Sequence, residues 1–396
     1  MTRSKILTIF SAVAAFLLCT LVPAYLNAEE ITDNDFGYSL DAPEGFKVSG
    51  YTPDGMSYHF KHSALPVELV LKLYTTDIFS TPDSALNGAL KKLNAAYEQP
   101  DSFCWDNTEC AITNFSCQAI MKNGASGWAV AANLPGKDAN LVLLCYADSQ
   151  KAESCGQFIF STLNSLCISK NSRFSPGIIT SYAFPEKEKS KIQLEIAGKK
   201  IETEIDAVAS EANNFVIECE YSVLKLYANS PKWKEAWIRY YKAIFRDSYS
   251  RLSKAAFDIN SAIYPAALKI NPNSPENALN EILLNWTQNF EYKRGNENSA
   301  DFTSVIDSLT GTGSDCDSRS ILMCILLKQN GISTSLFISR EYSHAVYGAE
   351  INAPGAKIKA GGKEFLLGET TVKNLKPGLI AQEQNDTEKW IPVLFE

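Results

Sequence analysis

Residues 311–320 read GTGSDCDSRS, and the seven that follow, ILMCILL, are apolar without interruption. A glycine-rich polar turn therefore runs straight into a helix that has to be buried, and the chain must build a layer against it. Gly331 supplies the left-handed residue that ends this helix after Asn330. At the other end, Ser314 followed three residues later by Asp317 has the form of a capping box, which puts Cys316 inside the first turn. A thiol there meets unpaired N–H groups and the positive pole of the helix dipole, both of which favour thiolate. The same amides can face an oxyanion. Asp315 and Asp317 oppose a thiolate and are expected to point away from it. Cys324, deep in the apolar run, is expected to be core.

The chain has 396 residues, too many for one ordinary core, and two or three domains are expected. Residues 1–28 have the form of an export signal: Arg3 and Lys5 precede an apolar stretch over 6–18, and small residues suit cleavage after Ala24 or Ala28. Leu18, before Cys19, is larger than a lipidation signal wants. An exported protein, periplasmic or extracellular, is expected, with membrane contact only through the signal segment if it is not cleaved. No other stretch has the ~20 apolar residues of a membrane span. The formal net charge is −8, and losing Arg3 and Lys5 makes the mature chain more acidic. That balance argues against nucleic acid or anionic lipid as the main partner, since Lys and Arg hold both.

One of the ten cysteines, Cys19, falls in the leader, which leaves an odd number to pair, stay buried or react. Cys316 and Cys324 lie ~12 Å apart on one helix, beyond disulfide reach. Cys155 and Cys167 fail by the same argument if one helix joins them. The easiest local bridge is Cys104 to Cys110 across CWDNTEC.

Over residues 29–170, runs such as VELVLKLYT, GWAVAANLP and NLVLLCYA read as strands of a largely antiparallel sheet. Two helical segments, STPDSALNGALKKLNAAYEQ and SQKAESCGQFIFSTLNSL, interrupt or close them. This order, with its opening YSLDAPEGFKV and closing FIFSTLNSL, resembles the α/β sandwich of the PsbP-like family, whose members are mostly binding or assembly modules. His59 and His62, three apart in YHFKH, point to opposite faces of a strand and read as two surface histidines, not a metal pair. Residues 171–270 read as a connector, with a hairpin around AGKK and a helix from Ser230 and Pro231 that runs unbroken to Pro265. Trp233, Trp237, Tyr240, Tyr241, Ile244 and Ser248 share one face of that helix and are expected to dock the next domain.

Ser274 and Pro275 open another helix, and the chain then reaches the turn before Cys316. After the Cys316 helix come a strand, a second strand that starts at His344, a turn, and a third strand that ends on Glu369. Three strands packed on the helix would bring these side chains to one edge as nucleophile, base and orienter. The segments GTGSDCDSRSILMCILLKQNGISTSLF, SHAVYGAEI and GKEFLLGETT resemble the transglutaminase-like superfamily over about residues 274–371. Its pattern is a G-D-C helix start, a helix ending in G-I, an H-A-aromatic strand and a W-x-x-x-D-P-T strand. Here Val346, Phe365, Glu369 and Thr370 stand where the family has an aromatic residue, Trp, Asp and Pro.

The resemblance implies that Cys316 is the nucleophile, His344 the general base and Glu369 the third member, with no cofactor and no metal. The expected fold class is α+β: an N-terminal antiparallel α/β sandwich (29–170), a small β unit and long helical connector (171–270), and a C-terminal transglutaminase-like, papain-related domain (271–396). The expected function is that of an exported cysteine peptidase or amidase acting on a peptide or protein substrate. The alternatives are a catalytically silent envelope scaffold and a protein-crosslinking acyltransferase.

Overall fold

The computed structural model describes residues 30–293 and 300–395, so the expected signal at 1–28 lies outside the described residues. The fold is α+β with antiparallel sheets. Strands β1 (Ile31–Asp33) and β2 (Tyr38–Leu40) begin the chain, and β3 (Phe46–Tyr51), β4 (Ser57–His62), β5 (Val67–Thr75), β6 (Ala96–Tyr97), β7 (Asp101–Trp105), β8 (Thr108–Cys117), β9 (Ala125–Asn133) and β10 (Ala139–Asp148) follow. The main sheet runs β3-β4-β5-β10-β9-β8-β6, with β7 also paired to β8. Helix α1 (Pro82–Lys92) covers one face and α2 (Gly156–Asn164) the other. A short β11 (Leu166–Cys167) completes a small sheet with β2 and β1.

Burial on both faces explains why NLVLLCYA reads as continuously apolar. Leu141, Leu143 and Cys145 of β10 pack with Phe158 and Ile159 of α2, while Val142, Leu144 and Tyr146 pack with Leu86 and Leu90 of α1. Helix α1 starts where local chemistry directs it: Thr81 and Ser84 form a capping box around Pro82.

The expected Cys104–Cys110 bridge is not formed. Asp106 and Asn107 both take positive φ, 50° and 58°, and make a two-residue turn between β7 and β8. In that register Cys104 faces Glu109 and Cys110 faces Phe103. The thiols project from opposite faces, Cys104 exposed and Cys110 buried, and the cysteines of the described residues are all free. His62 is half-buried, not on the open surface as expected. Its Nδ1 accepts the Leu65 N–H at 2.8 Å and its Nε2 lies 3.0 Å from the Glu44 carbonyl, with the ring set edge-on to Phe46 and Phe158. Burial pushes its pKa down.

Helix α3 (Ile178–Ala183) leads to the hairpin of β12 (Lys189–Ile196) and β13 (Lys199–Asp206), which turns on Ala197 and Gly198 at φ 50° and 73°. Three helices follow: α4 (Ala209–Lys225), α5 (Trp233–Arg251) and α6 (Ser253–Ile270). The long helix expected from Ser230 to Pro265 is thus two. It starts at Trp233, breaks at Leu252, a buried residue at φ −95° and ψ 0° that makes a turn between the two helices, and passes through Pro265. Pro265 is tolerated because the bond it removes, to the Ser261 carbonyl, lies on the exposed side of α6.

The C-terminal part contains α7 (Pro275–Thr287), α8 (Val305–Thr310), α9 (Cys316–Lys328), β14 (Thr334–Ser339), β15 (His344–Ala349), β16 (Lys357–Ala360), β17 (Lys363–Gly368) and β18 (Ile391–Leu394). Its sheet has five strands, β16-β17-β15-β14-β18, instead of the three expected. Helix α9 lies on β14 and β15, against Leu336, Ile338, Ala345 and Tyr347. The opposite face buries Phe337, Val346, Phe365, Leu367 and Trp390. Helix α5 joins the two halves: Ala236 belongs to the core of the N-terminal sheet, and Tyr240, Tyr241 and Ile244 to the core around α9.

Candidate active site

The start of α9 sets the position of Cys316, and its cap is one residue later than the sequence pattern suggests. Asp315, not Ser314, is the N-cap: its carboxylate accepts the Ser318 N–H at 2.7 Å, and the Ser318 hydroxyl accepts the Asp315 N–H at 3.0 Å. The second Asp315 oxygen takes the Thr303 N–H at 2.5 Å. A carboxylate can satisfy both amides where a serine hydroxyl cannot, so Asp315 takes the cap. Ser314 instead donates to the Glu291 carbonyl and accepts from Arg319 Nε, both at 2.8 Å. Cys316 becomes the first residue of the helix.

Its thiol is 4% exposed, and Sγ lies 3.5 Å from Asp317 Oδ2. Asp317 therefore does not point away from the sulfur, as electrostatics alone suggested it should. Its other oxygen accepts the Tyr241 hydroxyl at 2.8 Å, so α5 holds the carboxyl in place. Burial pushes the Cys316 thiol well above its ordinary value, and Asp317 and Asp315 push it further. A contact to the Ala345 backbone acts the other way without compensating. The expected low-pKa thiolate is corrected on this point: in this arrangement burial and two carboxyls outweigh the helix dipole, and the sulfur holds its proton. Burial and Asp317 also push the Asp315 carboxyl up to about 7. Asp317 is raised by burial, against the opposing influence of Tyr241, Cys316 and His344.

His344 opens β15, and Glu369 stands just past the end of β17, which pairs with β15. His344 Nε2 lies 2.6 Å from Glu369 Oε2. The other Glu369 oxygen accepts the Thr371 N–H at 2.7 Å and hydroxyl at 2.6 Å. Burial pushes the Glu369 carboxyl up, but the hydrogen bond and charge of His344, with Thr371, outweigh it and hold the group below the ordinary value. Because Nε2 is engaged by a carboxylate, Nδ1 is the ring nitrogen left to serve a thiol. His344 and Glu369 are thus in direct contact, and Cys316 touches the backbone of the residue after His344.

Arg319, which the sequence reading did not single out, is 2% exposed and holds the site together. Its Nε bonds Ser314 Oγ at 2.8 Å, Nη1 the Thr370 carbonyl at 3.1 Å and Nη2 the Phe290 carbonyl at 2.8 Å. One guanidinium thereby ties the turn before Cys316 to the segment after Glu369. The signal was legible, a charged residue one turn past the cysteine at the mouth of an apolar run. Gln288 was also missed: its amide donates to the Glu369 and Leu375 carbonyls at 2.8 and 2.9 Å, and nothing in the surrounding WTQNF marks it. The Trp390 ring lies 6.4 Å from His344. Among the described residues no group of three or more His, Cys, Asp or Glu is arranged to hold a metal ion.

No family model matches this chain, and no curated protein matches it. Among solved structures, the chain is similar to cyanobacterial PsbP (CyanoP) from Synechocystis sp. PCC 6803, at 13% identity over 37% of this chain and 95% of that one, with a TM-score of 0.29. It is also similar to the Ran-binding protein Mog1p of Saccharomyces cerevisiae, at 11% identity over 36% of this chain and 96% of that one, with a TM-score of 0.27. The resemblance is weak and spans about a third of the chain, in its N-terminal region.

Proposed function

We propose that the chain is an exported cysteine hydrolase, a peptidase or amidase of transglutaminase-like type, with Cys316 as nucleophile, His344 as base and Glu369 as orienter. The observation that carries this reading is the 2.6 Å bond between His344 Nε2 and Glu369, beside the helix start that bears Cys316. Catalysis begins from the protonated thiol. The sulfur passes its proton to His344 Nδ1, and Glu369 stabilises the imidazolium that results. The sulfur then attacks the carbonyl of a peptide or protein amide, the imidazolium protonates the leaving amine, and the C–N bond breaks. Water cleaves the thioester and restores the thiol. An amine in place of that water would make the chain a cross-linker.

A second reading, a catalytically silent envelope scaffold, is favoured by one observation: the thiol is buried against Asp317. Alkylation separates the two. Native protein is treated with iodoacetamide at about pH 6, where free cysteine is almost wholly thiol, and modified peptides are identified by mass spectrometry. On the hydrolase reading His344 draws the proton from the resting thiol as the reagent attacks, so Cys316 is modified in the wild type and spared in His344→Ala. Modification only after unfolding establishes the silent scaffold.

A further inference from the structure

Helix α5 carries three aromatic rings in line, Trp233, Trp237 and Tyr241, with successive centroids 6.0 and 6.2 Å apart. One end of the row reaches the thiol, since the Tyr241 hydroxyl donates to Asp317, which touches Cys316. The other end reaches the turn that leads into β15, where the Arg340 guanidinium lies 5.3 Å over the Trp233 ring. The row therefore bridges the two segments that carry Cys316 and His344, and Trp237 is its middle ring.

Exposure distinguishes these rings from ordinary core. Tyr240, Tyr241 and Ile244 on the same helix are buried, whereas Trp233 and Trp237 pack against the core only in part. Trp233 and Trp237 are half-buried and leave ring surface for stacking on the row that leads through Tyr241 and Asp317 to the thiol. We infer that Trp237 is a specificity-determining residue, the wall of a subsite that takes an aromatic side chain of the substrate next to the bond Cys316 attacks. The inference rests on the cysteine hydrolase reading. Its chemistry is the one the row already shows, tilted rings about 6 Å apart, a geometry in which aromatic pairs attract beyond their buried area.

The test compares second-order alkylation rates of Cys316 by two probes, N-benzyl iodoacetamide and N-cyclohexylmethyl iodoacetamide, which differ in having a flat or a puckered ring. Wild-type protein is expected to prefer the benzyl probe by about fivefold, the worth of one aromatic pair. Trp237→Ala is expected to bring the ratio to about one, and Trp237→Phe, which keeps a ring and serves if the alanine variant fails to fold, to retain an intermediate ratio. If neither probe modifies native Cys316, the hydrolase reading falls and the subsite with it. If both modify it but the wild type shows no preference, or the preference survives in Trp237→Ala, the subsite alone is overturned.

Discussion

Asp317 is the residue whose effect on the site runs furthest against expectation. Next to a nucleophile in a helix's first turn, a carboxylate should turn to solvent; instead Tyr241 pins it inward at 2.8 Å and it lies 3.5 Å from the sulfur. The consequence reaches Asp315, whose carboxyl is pushed up to about 7 by burial first and Asp317 second. An acid whose folded pKa exceeds its unfolded value of about 3.9 binds more protons in the native state, so stability declines as pH rises from about 4 to 7. Glu369 has the opposite sign: held low by His344 and Thr371 against burial, it contributes stability above its unfolded pKa that is lost as pH falls through the folded one. Asp317→Asn keeps an acceptor for Tyr241 and removes the charge. Urea midpoints should show it equal to wild type at pH 5 and more stable at pH 8, by on the order of 1 kcal/mol. A wild-type midpoint that does not fall over that range contradicts the assignment.

At the scale of elements, β15 and β17 meet closely enough that the site depends on a missing side chain. A Cβ on Gly368 would come within 2.1 Å of the Tyr347 ring, the residue opposite it in the pairing. Tyr347 cannot swing aside freely, because it is buried and its hydroxyl donates to Asn280 of α7 at 2.7 Å. Gly368→Ala should therefore destabilise by about 1–3 kcal/mol, the ordinary cost of overpacking. It should also disturb the adjacent Glu369 and so lower the alkylation rate of Cys316. An alanine variant with unchanged melting temperature and unchanged rate means that β17 shifts without moving the carboxylate. The turns at 106–107 and 197–198 lie where short-range chemistry puts them. The break at Leu252 has no such local code, since it follows from the packing of α5 and α6 into one core.

The whole molecule is joined through Arg239, 4% exposed on α5. Its Nη1 lies 2.6 Å from Glu220 of α4 and 3.1 Å from Ser161 of α2, and its Nε lies 3.3 Å from Glu44 of the N-terminal part. Arg239→Met should cost about 3–5 kcal/mol, because it leaves two buried carboxylates without their counter-charge. Arg239→Met combined with Glu220→Met should recover part of that loss. A loss below about 1 kcal/mol in guanidinium unfolding of the single variant would show that the acids are already neutral. What the sequence determined alone was local: strand runs, the helix that opens at STPDSA, the hairpin around AGKK, and the order of Cys316, His344 and Glu369 along the chain. These signals act over a few residues and survive without a tertiary context. The cap register, the opposed faces of Cys104 and Cys110, the five-stranded sheet and the protonation of the thiol were decided only by the assembled structure. Each depends on burial or on charges brought from afar, as when burial first, and then the Asp317 carboxyl that Tyr241 holds from 76 residues earlier, keep Cys316 a thiol.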